Sequence, residues 1–380
     1  MKKFFPQLAW LRAIAAFAVV FYHIRRGVNV SYNGEDAIVD NLFLRSIDLG
    51  DFGVLLFFVL SGTTLYLNHQ SFTAQHTIGH FFLKRVFRIW PAFFVSMLIS
   101  IAFIPIFTHF YIADLQGYWI EVHADNNYAL SDVFKYLGLI FNITGPHGKF
   151  NVVYWSLPIE FQYYLLFPLL VLSIRWFKYF GPLLLGGLLY GLLHTPVRDL
   201  IANSWTLMLA YTFCGGVLIG HLYKTFQHKI KLPNSVALVL VALLFITTSF
   251  VNQFYEAFPS WIQNLPIIGI EMNMFGVLAL AVVLIMIFSD FDNQAQGPVK
   301  RSLTFLGEIS YSVYLYHCIF IAIGVLLVIQ FNINNYITKL FTVSSVTLIG
   351  TILISYLSYQ YVEKPGIKIG RRLIKKGQSS

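Results

Sequence analysis

Long apolar runs alternate with short polar segments along almost the whole chain. About ten of these runs approach the roughly 20 mostly apolar residues that a transmembrane helix needs, although the fifth is short and rich in glycine. They lie near residues 8–26, 50–68, 92–110, 153–173, 179–193, 203–223, 234–252, 267–289, 303–329 and 340–361. An open sheet edge cannot sit in lipid, because its backbone groups would stay unsatisfied. The pattern therefore predicts an all-α fold, a polytopic transmembrane helix bundle of about ten spans.

The composition agrees with this interpretation. The chain is 57% hydrophobic and only 11% charged, whereas soluble globular proteins carry roughly 25% charged residues. So few charged residues could not cover the water-facing surface of a soluble globular protein with a single core. No appended soluble segment is apparent, so residues 1–380 are interpreted as a single membrane domain.

Lysine and arginine are distributed unevenly between alternate connections. With the N-terminus placed in the cytoplasm, 18 basic residues fall on the inner side and 7 on the outer side. Cytoplasmic loops carry the excess of Lys and Arg, so both termini are predicted to be cytoplasmic. The net charge of +9 is then a topology signal and gives no reason to expect nucleic acid as a partner. The basic tail at 366–380 is expected to rest on anionic headgroups of membrane lipids.

Several ionisable side chains fall inside predicted spans, where they are costly and mark functional candidates. Arg12 and His23 lie 11 residues apart on the first span, close to three helical turns, and so share one face. Glu160 opens the fourth span at a depth similar to that of His23. The alternatives are a snorkelling Arg12, an interfacial His23 and a Glu160 that only faces a helix N-terminus.

Three further positions carry chemistry that admits two interpretations. His317 lies near the middle of the ninth span, where it could simply hydrogen-bond to a neighbouring helix. Arg85 and Arg88 are three apart in the connection from Phe81 to Pro91, and therefore point the same way on a helix. They are either ordinary cytoplasmic charge or a clamp for phosphates, which arginine binds bidentately.

The remaining polar or small residues favour a packing role. Ser61 and Gly62 end an apolar segment where small residues allow helices to approach closely. Cys214 and Cys318 both lie inside apolar runs and are interpreted as small buried hydrophobes. The spacing of the two cysteines predicts neither a disulfide framework nor a metal site.

Six segments together form a recognisable series. They are Arg12 and His23 in the first span; Gly53, Phe57, Phe58, Leu60, Ser61 and Gly62 in the second; Arg85, Arg88, Ile89 and Pro91 after it; Trp155, Ser156, Leu157, Glu160, Tyr164 and Pro168 in the fourth; Ser310, Tyr311, Tyr314, Leu315 and His317 in the ninth; and Glu363, Lys364 and Pro365 near the end. In this order they resemble the motifs of the acyltransferase-3 family of membrane proteins. Each motif alone is weakly specific, but six in sequence over nearly the whole chain are specific.

The resemblance implies an O-acyltransferase, most often an O-acetyltransferase, in the plasma membrane (the inner membrane of a bacterium), crossing it several times. The donor would be cytoplasmic acyl-CoA, usually acetyl-CoA, used as a co-substrate with no tightly bound cofactor. The acceptor would be a hydroxyl of a surface polysaccharide, such as O-antigen or exopolysaccharide, or of its lipid-linked precursor. Many relatives carry a fused esterase-like domain, and this chain resembles the stand-alone members. The acceptor, the acyl group and the oligomeric state stay open.

The resemblance and the spacing together suggest roles for the candidate residues. Arg85 and Arg88 would hold the donor phosphates, and His23 would act as general base. Glu160 would orient His23, as the carboxylate of a triad does, and Arg12 would stabilise negative charge or anchor the donor arm. A covalent acyl-His23 intermediate is an open alternative.

Three residues are possible additional members of the site, namely His317, Tyr314 and Ser61. Two rival functions use the same groups without acyl transfer. A proton-coupled secondary transporter would relay protons through the intramembrane Arg, His and Glu, and a glycan flippase would perform no chemistry at all.

Overall fold

The computed structural model describes residues 5–28, 49–73, 77–110, 123, 125–200, 204–254, 259–260, 270–291 and 297–378. Within these ranges the protein is built from α-helices with short 3-10 and π-helical turns, and no strand occurs among them. The helices are α1 (Pro6–Val28), α2 (Gly50–Asn68), α3 (Ile78–His109), α4 (Leu130–Leu137), α5 (Phe141–Thr144), α6 (Ser156–Phe177), α7 (Phe180–Gly191), α8 (Trp205–Phe226), α9 (Asn234–Phe254), α10 (Ile270–Ile287), α11 (Pro298–Glu308), α12 (Ser310–Gln330), α13 (Tyr336–Ser358) and α14 (Lys364–Gln378).

The described helices fit a membrane protein. Seven of them are long and apolar enough to cross a membrane, and three shorter apolar helices lie at 180–194, 234–250 and 272–287. Each of the ten apolar runs of the sequence thus coincides with helix over most of its described residues. The all-α fold is confirmed for the residues that the structure describes, and seven candidate spans support a membrane protein, whereas the count of ten and the cytoplasmic termini stay predictions.

Three helix boundaries differ from the sequence pattern. The third helix begins at Ile78 and continues through Pro91, so the predicted connection from Phe81 is part of one long helix. Its start is capped by Thr77, whose hydroxyl accepts a hydrogen bond from a backbone N–H of the first turn. The ninth run is divided at Ile309 into α11 and α12. The tenth continues through a π-helical turn into α14, so much of the predicted basic tail is helical.

The chain divides into two compact units, which are interleaved along the sequence. The first unit consists of Met1–Val19, Asn41–Phe72 and Gln162–Glu308, and the second of Val20–Asp40, Thr73–Phe161 and Ile309–Ser380.

In the first unit, α2 packs most extensively against α8. A methyl group added at Gly62 would overlap the backbone carbonyl of Phe213, and one added at Gly216 would overlap that of Val59. The Thr63 hydroxyl also donates to the carbonyl oxygen of Gly216 at 2.9 Å. Small residues allow helices to approach closely in membranes, so the predicted packing role of Gly62 is confirmed.

In the second unit, α12 packs most extensively against α13, and α14 lies along α3. Gly366 and Gly370 of α14 both face Phe87 of α3. The described part of the basic tail therefore docks on the helix that carries the predicted arginine pair. Its placement on lipid headgroups stays a prediction.

Candidate functional site

Two histidines from opposite ends of the sequence meet in the second unit. His23, near the end of α1, places Nδ1 2.7 Å from Nε2 of His317 on α12. The ring planes are 9° from parallel and the ring centroids are 5.0 Å apart. His317 is fully buried and His23 is partly buried. The sequence treated these residues as separate candidates, and the structure makes them one pair.

Near His317, helix α12 is held in place by hydrogen bonds as well as by apolar packing. The hydroxyl of Tyr314 is 2.8 Å from the Ser156 hydroxyl and donates to the carbonyl oxygen of Val153 at 2.9 Å. Its ring centroid is 6.0 Å from that of His317. The predicted additional residue Tyr314 thus braces the helix that presents His317, and whether it also takes part in chemistry stays a prediction.

A second set of polar groups forms hydrogen bonds with the backbone of α12 at Leu315. The carbonyl oxygen of Leu315 accepts hydrogen bonds from Ser96 at 3.3 Å and from the Asn151 amide at 3.1 Å. Ser96 is also 2.7 Å from the hydroxyl of Tyr154. Sequence reasoning missed Ser96, Asn151 and Tyr154. The available signal was their polarity beside otherwise apolar positions, which does not by itself reveal a shared partner.

Glu160 lies near this cluster on α6. Its carboxyl is close enough to Tyr314 for an electrostatic interaction, and its side chain is half-buried. Glu160 and the histidine pair therefore belong to the same unit, with Tyr314 as a shared neighbour. The predicted orienting role of Glu160 toward His23 stays a prediction.

Arg85 and Arg88 lie on the first half of α3, in the same unit as the histidine pair. Arg85 stacks its guanidinium over the Phe81 ring at 5.8 Å. Ser96 follows Arg88 by eight residues, or about 12 Å of helix at 1.5 Å per residue, and it contacts Leu315 just before His317. Along the helix, Arg88 thus lies about two turns and Arg85 about three turns from the level of the histidines.

Glu363 of the closing Glu-Lys-Pro motif lies near Arg88 of the arginine pair. Glu363 is buried in the π-helical turn and accepts a hydrogen bond from the Ser312 hydroxyl, which also bonds to Ser358 at 3.0 Å. Its carboxyl interacts electrostatically with Arg88. Sequence reasoning quoted Glu363 but gave it no role. Its contacts tie α12, the π-helical turn and the arginine helix together.

A third histidine of the second unit was also missed. His123 is almost completely buried, and its ring lies 5.7 Å from that of Phe107. Burial and, to a smaller extent, the nearby His317 lower the pKa of His123, a backbone hydrogen bond with Phe150 raises it, and the net result is a pKa of about 4. His123 is therefore neutral at physiological pH.

Two predicted site residues belong to the first unit. Arg12 donates from Nη2 to the Thr64 hydroxyl at 3.0 Å. Ser61 is buried, and its hydroxyl donates to that of Tyr164 over a long 3.4 Å. Ser61 therefore sits in the packed part of α2, and the catalytic role suggested for Arg12 stays a prediction.

Cys318 adds a thiol to the histidine pair. Its Sγ lies 3.4 Å from His317 Nε2 and 3.8 Å from His23 Nδ1. The sequence correctly indicated that Cys318 is buried but not that its neighbours are polar. These three side chains form a group whose atoms could hold a metal ion. However, zinc binds imidazole nitrogen at 2.0–2.1 Å, which separates two tetrahedral nitrogen ligands by about 3.3 Å. The 2.7 Å between the two nitrogens suits a shared proton better.

Comparison with known proteins adds independent information. The sequence model of the acyltransferase-3 family, described as an acyltransferase domain, matches residues 5–359. A peptidoglycan O-acetyltransferase from Listeria monocytogenes is 25% identical over 97% of this chain and 57% of its own length. A Staphylococcus aureus protein provisionally named an O-acetyltransferase is 24% identical over 97% of this chain and 58% of its own. A protein of Acidianus two-tailed virus, provisionally named an acetyltransferase, is 24% identical over 83% of both chains.

The chain thus spans little more than half the length of the two bacterial relatives. No solved structure is significantly similar to it. The family match extends into both units and includes the first five of the six motifs, whereas the sixth, at Glu363, lies beyond it. This membrane protein therefore belongs to the acyltransferase-3 family.

Proposed function

We propose that the protein is a membrane O-acetyltransferase that moves an acetyl group from acetyl-CoA to a hydroxyl of a cell-surface polysaccharide or its lipid-linked precursor. The observation that carries this proposal is the pair of His23, which is partly buried, and His317, which is fully buried, joined at 2.7 Å. An intramembrane imidazole pair is costly without a function. Family membership favours acyl transfer as that function over transport.

The donor would bind at the end of the second unit that carries Arg85 and Arg88. Guanidinium groups suit phosphates, and a clamp of two would also fix the orientation of the nucleotide. The thioester lies at the end of a long flexible arm. That arm would follow α3 toward the level of Ser96, where the histidine pair lies close by.

The chemical step needs one proton acceptor. His23 would take the proton of the acceptor hydroxyl while its oxygen attacks the thioester carbonyl carbon. The carbon–sulfur bond then breaks, and the leaving thiolate takes the proton from His23 to give free CoA. A route through acetyl-His23 needs the same atoms in two steps, with the acceptor hydroxyl attacking in the second.

The proposed acceptor class rests on the relatives. One of them is named as a peptidoglycan O-acetyltransferase, which makes a surface glycan the first class to test. The identity is 25%, so the same polymer is not implied. Mass analysis of surface glycans from cells with and without the gene would identify the modified polymer.

The test is a reconstituted reaction. Purified protein in lipid nanodiscs receives acetyl-CoA labelled in the acetyl group, together with glycan fragments. The proposal expects CoA release and label transfer that both require His23. Fragments acetylated without protein, or a wild-type protein that never releases CoA with any glycan class, would overturn it.

His221 offers a matched control for the loss of an intramembrane histidine. It lies on α8 in the first unit and is 2.8 Å from the Tyr66 hydroxyl. Replacing His221 by Ala removes a hydrogen-bonded imidazole from a span without touching the proposed site. Turnover should survive that change and fail after His23→Ala.

A further inference from the structure

The ring nitrogens of His317 have unequal partners, which fixes where its proton lies. Nδ1 is 3.1 Å from the carbonyl oxygen of Val313 and 2.9 Å from that of Tyr314. A carbonyl oxygen can only accept a hydrogen bond. Nδ1 of His317 must therefore carry a proton. His317 is completely buried, and burial penalises the charged ring, in which both nitrogens carry protons. The ring is therefore neutral, and its lone pair lies on Nε2.

That lone pair determines the tautomer of His23. His317 Nε2 faces His23 Nδ1 at 2.7 Å, and two unprotonated nitrogens cannot share a hydrogen bond. The 5.0 Å between centroids, set against 2.7 Å between nitrogens, shows that the two nitrogens point at each other. His23 must therefore donate from Nδ1, and its own lone pair lies on Nε2.

We infer that His317 is a positioning residue that holds His23 in the Nδ1–H tautomer, so that Nε2 is the basic atom of the site. This inference rests on the proposed role of His23 in acyl transfer. The two rings form a hydrogen-bonded relay. His23 donates from Nδ1 to Nε2 of His317, and His317 donates from Nδ1 to backbone carbonyl oxygens of α12. The ring of His317 is thereby fixed to the helix that carries it.

The arrangement differs from the one that the sequence suggested. There, Glu160 was to orient His23, as a carboxylate does in a catalytic triad. Here the group bonded to Nδ1 is a neutral imidazole. When His23 takes up a proton, its bond to His317 becomes charge-assisted and therefore stronger. The pair can stabilise the transient charge without holding a permanent one.

The test compares two replacements of His317. In His317→Gln, the side-chain carbonyl oxygen can take the place of Nε2 as acceptor. In His317→Leu, a side chain of similar size offers none. The wrong tautomer is very costly in a Ser-His-Asp triad. We expect a fall in turnover on the order of 10²-fold for the Leu variant and within about tenfold for the Gln variant. Acetyl-CoA affinity should not change in either, and His221→Leu should behave as wild type.

A spectroscopic measurement separates this role from a structural one. Protein labelled with ¹⁵N-histidine, without substrate, reports which ring nitrogen of His23 is protonated, with His23→Gln assigning the signal. We expect Nδ1–H in the wild type and in His317→Gln, and a gain of Nε2–H in His317→Leu. An Nε2–H tautomer in the wild type, or an unchanged tautomer in His317→Leu, would overturn the inference.

Metal analysis of the same samples tests the remaining alternative, that His23, His317 and Cys318 bind a metal ion. Stoichiometric metal in the wild type that disappears in His317→Leu would show a metal site and overturn the relay. The tautomer measurement uses no substrate, so it decides the role of His317 even where no CoA release is found. Failure of the proposed function and failure of this inference are therefore distinguishable.

Discussion

Helix α2 in the first unit and helix α12 in the second both carry a long family motif, and both are largely buried. Their burial rests on different groups. Helix α2 contacts α8 through backbone made accessible by Gly62 and Gly216. Helix α12 instead bonds to its neighbours through polar side chains, among them Tyr314 and His317.

The difference separates two reasons for a motif in a membrane protein. A small-residue motif allows close approach, and any larger side chain there disturbs packing. A polar motif inside a span is costly unless its groups are bonded to one another or act on a ligand. Substitutions in α2 should therefore change stability, and substitutions around α12 should change turnover. Four predictions test this contrast, beginning with the largest expected effect.

The largest effect is expected for His23→Ala. A general base contributes typically 10²–10⁴-fold, so turnover should fall by about that factor while acetyl-CoA binding is retained. Turnover and acetyl-CoA affinity are measured separately on the purified variant. Full activity in His23→Ala would show that the polar cluster is only structural.

The next effect is a loss of stability in Gly62→Ala. The added methyl group would overlap the Phe213 carbonyl, and overpacking costs about 1–3 kcal/mol. Gly187→Ala is the control, because a methyl group there meets nothing within 4 Å. That change should be neutral or stabilising, since Ala is favoured over Gly inside a helix by about 0.5–1 kcal/mol. Thermal unfolding in detergent measures both, and equal stability of the two variants would contradict the packing role.

An effect of similar size is expected at the donor end. Arg85→Ala and Arg88→Ala should each weaken acetyl-CoA binding by about ten- to hundredfold, because a hydrogen bond to a charged group contributes roughly 1.5–3 kcal/mol. Arg175→Ala, at the exposed end of α6, is the matched control and should bind normally. Direct binding by calorimetry checks the three variants. If both arginine variants of α3 bind acetyl-CoA with wild-type affinity, the pair does not bind the donor and serves only as ordinary cytoplasmic charge.

The smallest effect is expected for Ser61→Ala, where the sequence allowed a catalytic role. Its bond to Tyr164 is long, so its loss should cost about 1 kcal/mol or less in stability. Turnover should stay at the wild-type level. A large fall in turnover with unchanged stability would show that Ser61 is part of the site. It would also contradict the contrast between a packing role for α2 and a functional role for α12.

The sequence alone determined the fold class and the family. Apolar runs of membrane length have one stable state in lipid, since only a helix satisfies its own backbone within one segment. The ten runs therefore coincide with helix over most of the residues that the structure describes. The motifs could likewise be read in order, because they are local in sequence. The division of the ninth run at Ile309 and the extension of α3 to Ile78 were not apparent, since hydropathy does not register where a helix begins beyond the apolar run.

Only the tertiary structure decided which polar residues meet. His23 and His317 are 294 residues apart, and no periodicity within one helix specifies the rotation of another helix toward it. The same holds for Cys318, whose apolar surroundings in sequence concealed two nearby imidazoles. Packing sets the rotation and register of each helix, and through them the hydrogen bond that assigns the proton of His23. The candidate residues could thus be found in the sequence, but their pairing could be found only in three dimensions.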